Sequence, residues 1–176
     1  MDDKTEQLNI LKSISLGKSV DLSYIKDIND YVFSMEYLSV NGGFNFFMEL
    51  VSRKNNFDKL ILDIVKNNIA SNDLLNNIAN DIHTPIKVLE ILAKNPSTSI
   101  SGHAQLAILR KELDKGLSEL ELQHILKEAT NDYGINIGIR SQIANHLKTP
   151  KAILLKLLKD DVDFISEAAS KTMKLK

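Results

Sequence analysis

Cysteine is absent from all 176 residues. That excludes disulfides, thiolate nucleophiles, iron–sulfur clusters and cysteine-based zinc sites together, and points to the reducing cytoplasm. Tryptophan is absent too, so no indole can stack on a base. Long apolar runs are missing: the richest, Ala152-Ile153-Leu154-Leu155, is closed by Lys156, far short of the roughly 20 residues a bilayer-spanning helix requires. Residues 1–7 are acidic and polar, without the basic start and apolar run of a secretory signal. Nor does one sign of charge dominate. A net charge of −1 and a pI near 6.4 give no global basic field with which to collect nucleic acid. These absences predict a cytoplasmic chain with no membrane segment.

What is present is the composition of a folded domain, with 43% hydrophobic and 26% charged residues, in a chain long enough to bury a core without covalent staples. Apolar residues recur at helical spacing in Leu60, Ile61, Ile64 and Val65, in Leu74, Ile78 and Ala79, and in Val88, Leu89, Leu92 and Ala93; strand alternation is nearly missing, so the predicted class is all-α. The stripes return further along the chain, all at one constant offset, as Ile125-Leu126, Ile139, Ile143-Ala144, Ile153-Leu154 and Leu157-Leu158. The clearest match pairs Ile78-Ala79-Asn80-Asp81-Ile82-His83-Thr84-Pro85 with Ile143-Ala144-Asn145-His146-Leu147-Lys148-Thr149-Pro150. A repeat of this length signals stacked helical units.

Turn chemistry repeats with the hydrophobic pattern. Thr84 and Thr149 are expected to cap the helix that follows them, with Pro85 and Pro150 at its first position, where no amide hydrogen is needed. Asn80 and Asn145 are expected to close the preceding helix in the left-handed conformation. Helices are predicted near 57–68, 73–80, 85–95 and 99–111, then near 118–130, 137–146, 150–160 and 163–174. Ser118-Glu119-Leu120-Glu121 has the capping-box spacing and marks the start of the second copy. The polar stretch 111–116 before it, ending in Gly116, is expected to be a connector. Residues 1–56 hold Tyr24, Tyr31, Phe33, Tyr37, Phe44, Phe46 and Phe47, seven of the ten aromatics. They are expected to form a helical cap, with helices near 4–15, 21–38 and 44–54 and Asn41-Gly42-Gly43 as a turn. The domain organisation expected is therefore a cap at 1–56 and a repeat region at 57–176, with copies at about 57–111 and 118–176 packed as one continuous domain.

The segment Ala79-x-Asn-x-x-x-Thr84-Pro85-x-x-Val88-Leu89-x-x-Leu92-Ala93-x-Asn95, with its counterpart from Ala144 to Asp160, resembles the variant leucine-rich repeat, a relative of HEAT and armadillo solenoids. The resemblance covers about two units within residues 73–174. It implies a short right-handed α-solenoid of stacked helix pairs. The chain departs from the family pattern in the wide separation of its two units, with Ser97-Thr98-Ser99 and Asp161-Val162-Asp163 where a further unit would continue. The iron–sulfur cluster of some family members does not transfer to a chain without cysteine.

No motif nominates chemistry. His83, His103, His124 and His146 lack the four-residue spacing that puts two imidazoles on one helical face. Asp160, Asp161 and Asp163 cluster, but without the glycine and closing glutamate of a calcium loop; Asp163 is expected to cap a helix. No catalytic residue, metal or cofactor is predicted. The remaining candidates are the lysines of the Thr-Pro helices, Lys87, Lys94, Lys148, Lys151, Lys156 and Lys159. Helix-dipole stabilisation is their ordinary explanation; the sharper one is that they contact an acidic protein partner. The reading is thus a non-catalytic protein-binding module serving as scaffold, regulator or inhibitor, a form that suits a small bacterial regulator. Two alternatives stay open: nucleic-acid binding by the lysine-rich second copy, disfavoured by the lack of arginine after Arg140, and an enzyme whose site is assembled from distant residues. Function is expected where the copies disagree, as at His83 against Lys148, Glu90 against Leu155 and Ile91 against Lys156.

Overall fold

A computed structural model describes residues 3–18, 20–130 and 134–176. Eleven α-helices occupy the described residues, and none of those residues is in a strand. They are α1 (Asp3–Ser15), α2 (Ile28–Asn41), α3 (Phe44–Ser52), α4 (Phe57–Lys66), α5 (Asn72–Asn80), α6 (Ile86–Leu92), α7 (Thr98–Lys115), α8 (Glu119–Glu128), α9 (Ile135–Asn145), α10 (Lys151–Leu157) and α11 (Asp163–Lys174). None of the described helices is long and apolar enough to cross a membrane. The chain divides into two compact units, 1–104 and 105–176, and α7 contributes its first turns to one and the rest to the other.

In the first unit α2 packs against α1, α3, α4 and α5, while α6 packs against α4 and α5. The aromatic N-terminal region supplies much of this core: Tyr31, Met35, Phe44, Phe47 and Met48 are buried, and each fully buried large side chain contributes about 1.5–3 kcal/mol. The predicted turn forms at Gly42-Gly43, with Asn41 still the last residue of α2, and Gly43 is required there. Its φ is +90°, and a Cβ would lie 2.8 Å from the Ser15 Cα, so any side chain would meet backbone as well as strain. The helix predicted at 21–38 starts later, at Ile28, because the Asp27 carboxylate accepts from the amides of Asn29 and Asp30 at 2.8 and 3.0 Å and fixes the N-terminus there. Glu36 on α2 accepts both the amide and the hydroxyl of Ser71 at 2.9 Å, which ties α2 to the start of α5.

In the second unit α10 packs against α8, α9 and α11, and α9 against α11. Its core joins Leu109 and Leu113 of α7 to Leu122, Ile143, Leu154 and Ile165. The expected connector at 111–116 is instead the last turn of α7. Leu113 lies one helical turn after Leu109 and continues the same buried stripe, so the helix runs on until Gly116, at φ +99°, ends it. The capping box forms as read: the Glu121 carboxylate accepts the Ser118 amide at 2.7 Å, and the Glu121 amide donates to the Ser118 hydroxyl at 3.3 Å.

The two copies agree in backbone detail around the Thr-Pro turn and at the helix starts that follow it, while α8 and α9 begin earlier than the offset from α4 and α5 would place them. The bounds of α6 and α10 differ by the same offset as the starts of α7 and α11, which is the offset of the sequence repeat. The turns before α6 and α10 share one hydrogen-bond scheme, which corrects the expected roles of threonine and asparagine. Thr84 and Thr149, both fully buried, donate their hydroxyls back to the carbonyls of Ile78 and Ile143, at 2.6 and 2.7 Å. Each gives a second donor to a carbonyl in the last turn of the preceding helix, which also accepts the Asp81 or His146 amide at 3.3 Å, rather than serving an amide of the next helix. Pro85 and Pro150 occupy the capping position, one residue before the helix. Asn80 and Asn145 remain helical, and the chain leaves through extended Asp81 and His146. The only left-handed non-glycine among the described residues is Asn68, after α4. Asp163 is also not a cap: it is the first residue of α11, and Asp160 instead accepts the Val162 amide at 3.1 Å.

Candidate functional site

Helix α10 buries Ile153, Leu154 and Leu157 and leaves the opposite arc in solvent. With about 3.6 residues per turn, Lys151, Leu155 and Leu158 follow one line along that arc, and Lys156 and Lys159 lie to one side of it. All five are exposed, Leu155 by 55% and Leu158 by 36%. Sequence reading assigned Leu158 to the buried stripe with Leu157; the structure puts it at the edge of the exposed arc. None of Lys151, Lys156 and Lys159 pairs with a carboxylate among the described residues. Lys148, in the turn before α10, donates its Nζ to the backbone carbonyl of Asp114. Thus Lys148, Lys151, Lys156 and Lys159 gather on one helix and its flanking turns. Lys87 and Lys94 are exposed too, but they belong to α6 and its closing turn, in the first unit.

The equivalent arc of α6 has different chemistry. Ile86, Glu90 and Ala93 stand where α10 has Lys151, Leu155 and Leu158, and Ile91 replaces Lys156. Exposed leucine on this arc therefore belongs to the second copy alone, whereas exposed lysine at the closing turn is common to both, as Lys94 and Lys159.

Behind the end of this arc lies a buried ion pair that the sequence did not nominate. Arg140 Nε donates to Asp160 Oδ2 at 2.8 Å and Nη2 to Oδ1 at 3.3 Å, with side-chain exposures of only 8% and 9%. Arg140 Nη1 also donates to the Ala129 carbonyl at 3.0 Å, at the end of α8, where helix carbonyls lack partners. The fork geometry of guanidinium suits this arrangement better than an ammonium would. In the first copy the same two positions are Leu75 and Asn95. A concavity of about 210 Å³ opens over the pair, lined also by Thr130, Lys159 and Asp161.

No protein family, curated protein or solved structure matches this chain. The site must be read from its own geometry.

Further along the unit, His146 Nδ1 accepts the Lys148 amide at 3.3 Å and its Nε2 lies 3.0 Å from Asp114 Oδ1. That places the proton of the neutral ring on Nε2. The hydrogen bond from His146, helped by the charges of Lys148 and Arg110, holds the Asp114 carboxyl below its ordinary range. Asp81, the counterpart of His146, uses its carboxylate in the same way, accepting the His83 amide at 2.8 Å. Asp81 is buried. These positions differ in residue yet share a turn-closing task. No group of three or more histidine and carboxylate side chains converges among the described residues in a way that could hold a metal ion.

One signal could have revealed the ion pair from sequence. Leu75 becomes Arg140 and Asn95 becomes Asp160 between copies, so a new cation and a new anion arise together at separate points of the same copy. Paired changes of this kind mark contact.

Proposed function

We propose that the chain is a non-catalytic protein-binding module, of the variant leucine-rich repeat type and built as a short right-handed α-solenoid, that acts in the cytoplasm as a scaffold, regulator or inhibitor. The observation that carries this reading is the exposed arc of α10, where two leucines sit in solvent among lysines on a helix whose other face is fixed in the core. Exposed leucines embedded in charge are suited to a protein interface, in which apolar anchors lose water while a polar rim sets orientation. A rigid backbone behind the arc limits the entropy lost on binding. The turn scheme shared by the copies supports a scaffold role for the repeat itself, leaving partner choice to residues that differ.

Affinity capture from native lysate with the intact chain and with a Leu155→Ser/Leu158→Ser variant tests the proposal. A protein held by the first and lost from the second, with helicity unchanged by circular dichroism, is the expected outcome. Identical sets of retained proteins would remove α10 as the binding face.

A further inference from the structure

We propose that the α10 arc receives an acidic amphipathic helix of the partner, whose apolar residues cover Leu155 and Leu158 while its carboxylates meet Lys151, Lys156 and Lys159. The inference rests on the reading of α10 as the binding face and adds the chemistry of what binds there.

Charge complementarity carries it. Between positions 149 and 160 the chain has Lys151, Lys156 and Lys159 against a single carboxylate, Asp160; Lys148, just before, is engaged by the Asp114 carbonyl. Asp160 is withdrawn from the surface by its bidentate bond to Arg140. The buried pair therefore leaves the lysine field of α10 uncompensated at its own position. Asp161 and Asp163 are exposed just beyond Lys159 and bound the basic stretch at that end. The first copy carries no such field, since Lys87 and Lys94 are interrupted by Glu90.

Shape narrows the occupant. The seven residues of α10 span about 10 Å at about 1.5 Å per residue, a length matched by about two turns of a crossing helix. Apolar residues three and four apart on such a helix form a ridge that covers Leu155 and Leu158, and carboxylates beside the ridge reach the lysine flank. A nucleic acid offers the charge but would leave both leucines in water, and the arc holds neither arginine nor an aromatic ring to engage bases. An anionic bilayer is a poorer fit, because α10 is anchored by its buried face and exposes only two large apolar side chains, too few to insert as an interfacial helix does.

The test is selection of binders to the intact chain from a displayed library of random helical peptides. Titrations follow with the native chain, Lys151→Glu/Lys156→Glu/Lys159→Glu, Leu155→Ser/Leu158→Ser, and Lys87→Glu/Lys94→Glu as the first-copy control. Recovered peptides should carry glutamate or aspartate beside apolar residues at helical spacing. Their affinity should fall at least about tenfold in each α10 variant and stay within about twofold in the control. Binders that lose affinity in the α10 variants but are neutral or basic would overturn the partner chemistry and keep the binding face. Binders indifferent to α10, or no binders at all, would overturn both. Phosphatidylserine/phosphatidylcholine vesicles and a single-stranded oligonucleotide serve as competing probes; tighter binding of either, lost on charge reversal, would reassign the arc and overturn the proposal.

Discussion

At two matched positions the first copy has buried Leu75 and half-buried Asn95, whose side chain accepts the Ser97 amide, and the second has Arg140 and Asp160 bonded to each other. The turns between them and the following helices share one hydrogen-bond scheme, including the threonine hydroxyl that turns back to the preceding helix. The difference reaches the helix ends. Where α4 stops through left-handed Asn68, the carbonyl at the end of α8 is taken by Arg140. The surface differs in step, with Glu90 and Ala93 on one arc and Leu155 and Leu158 on the other. One scaffold thus tolerates a neutral or a charged interior solution, and the charged one coincides with the basic, apolar-studded face. A turn held by buried backbone bonds fixes geometry; side chains outside that turn are free to diverge.

The comparison breaks most sharply at the ion pair. Arg140→Leu should cost about 3–5 kcal/mol in urea unfolding, because it leaves Asp160 buried without its cation and the Ala129 carbonyl without a donor. Adding Asp160→Asn, which writes the first copy's residues into the second, should return most of that loss; a double variant as unstable as the single would show that the two solutions are not interchangeable. Next in size are the turn threonines. Thr84→Val and Thr149→Val each remove a buried hydroxyl donor from a helix-end carbonyl, leaving it only the 3.3 Å bond from the Asp81 or His146 amide, and should each cost about 0.5–1.5 kcal/mol. Near-equal losses are the expectation, and a large inequality would break the equivalence of the turns.

A smaller contrast concerns the first helix of each copy. Helix α4 buries Phe57, Leu60, Ile61 and Ile64, and its cap residue Asn56 makes no side-chain cap bond; α8 buries only Leu122 as completely and has the full capping box. Ser118→Ala should therefore destabilise the chain more than Asn56→Ala, though less than either threonine change, as thermal midpoints will show. Hydrogen bonds from the Ser118 side chain and amide hold Glu121 below its usual range. Its contribution is thus present above the ordinary glutamate value and is lost as pH falls through the lowered one. The smallest expected effect is His146→Ala. The Asp114 titration, followed by carboxyl NMR, should move up toward the ordinary aspartate value, with stability at neutral pH scarcely altered because the pair is on the surface.

Much of the fold was legible because it depends on local pattern. The helical stripes, the constant register between the copies, the capping box and the glycine turn all follow from spacing along the chain. Threonine's role was not legible in the same way: a hydroxyl between two helices can serve either one, and only the burial of Thr84 and Thr149 decides that it closes the earlier helix. The extension of α7 to Lys115 was hidden by the polar residues around Leu113, whose buried position comes from packing rather than local composition. At the candidate site the lysines were visible as charge, and Leu155 as a disagreement between copies. The Arg140–Asp160 bond was missed because a charged residue aligned with a leucine looks like surface variation until both ends of the change are read together.

The most direct test of the central claim is to give α10 the surface of α6. Lys151→Ile, Leu155→Glu, Lys156→Ile and Leu158→Ala together give the proposed contact positions that differ between the copies their first-copy residues while leaving Ile153, Leu154 and Leu157 in place. Anisotropy titration of a peptide selected on the native chain measures the consequence, with circular dichroism on the same samples. The expected result is helicity unchanged and affinity reduced at least about tenfold, or about 1.4 kcal/mol. Undiminished affinity in a variant of native helicity would contradict the assignment of binding to the second copy's face.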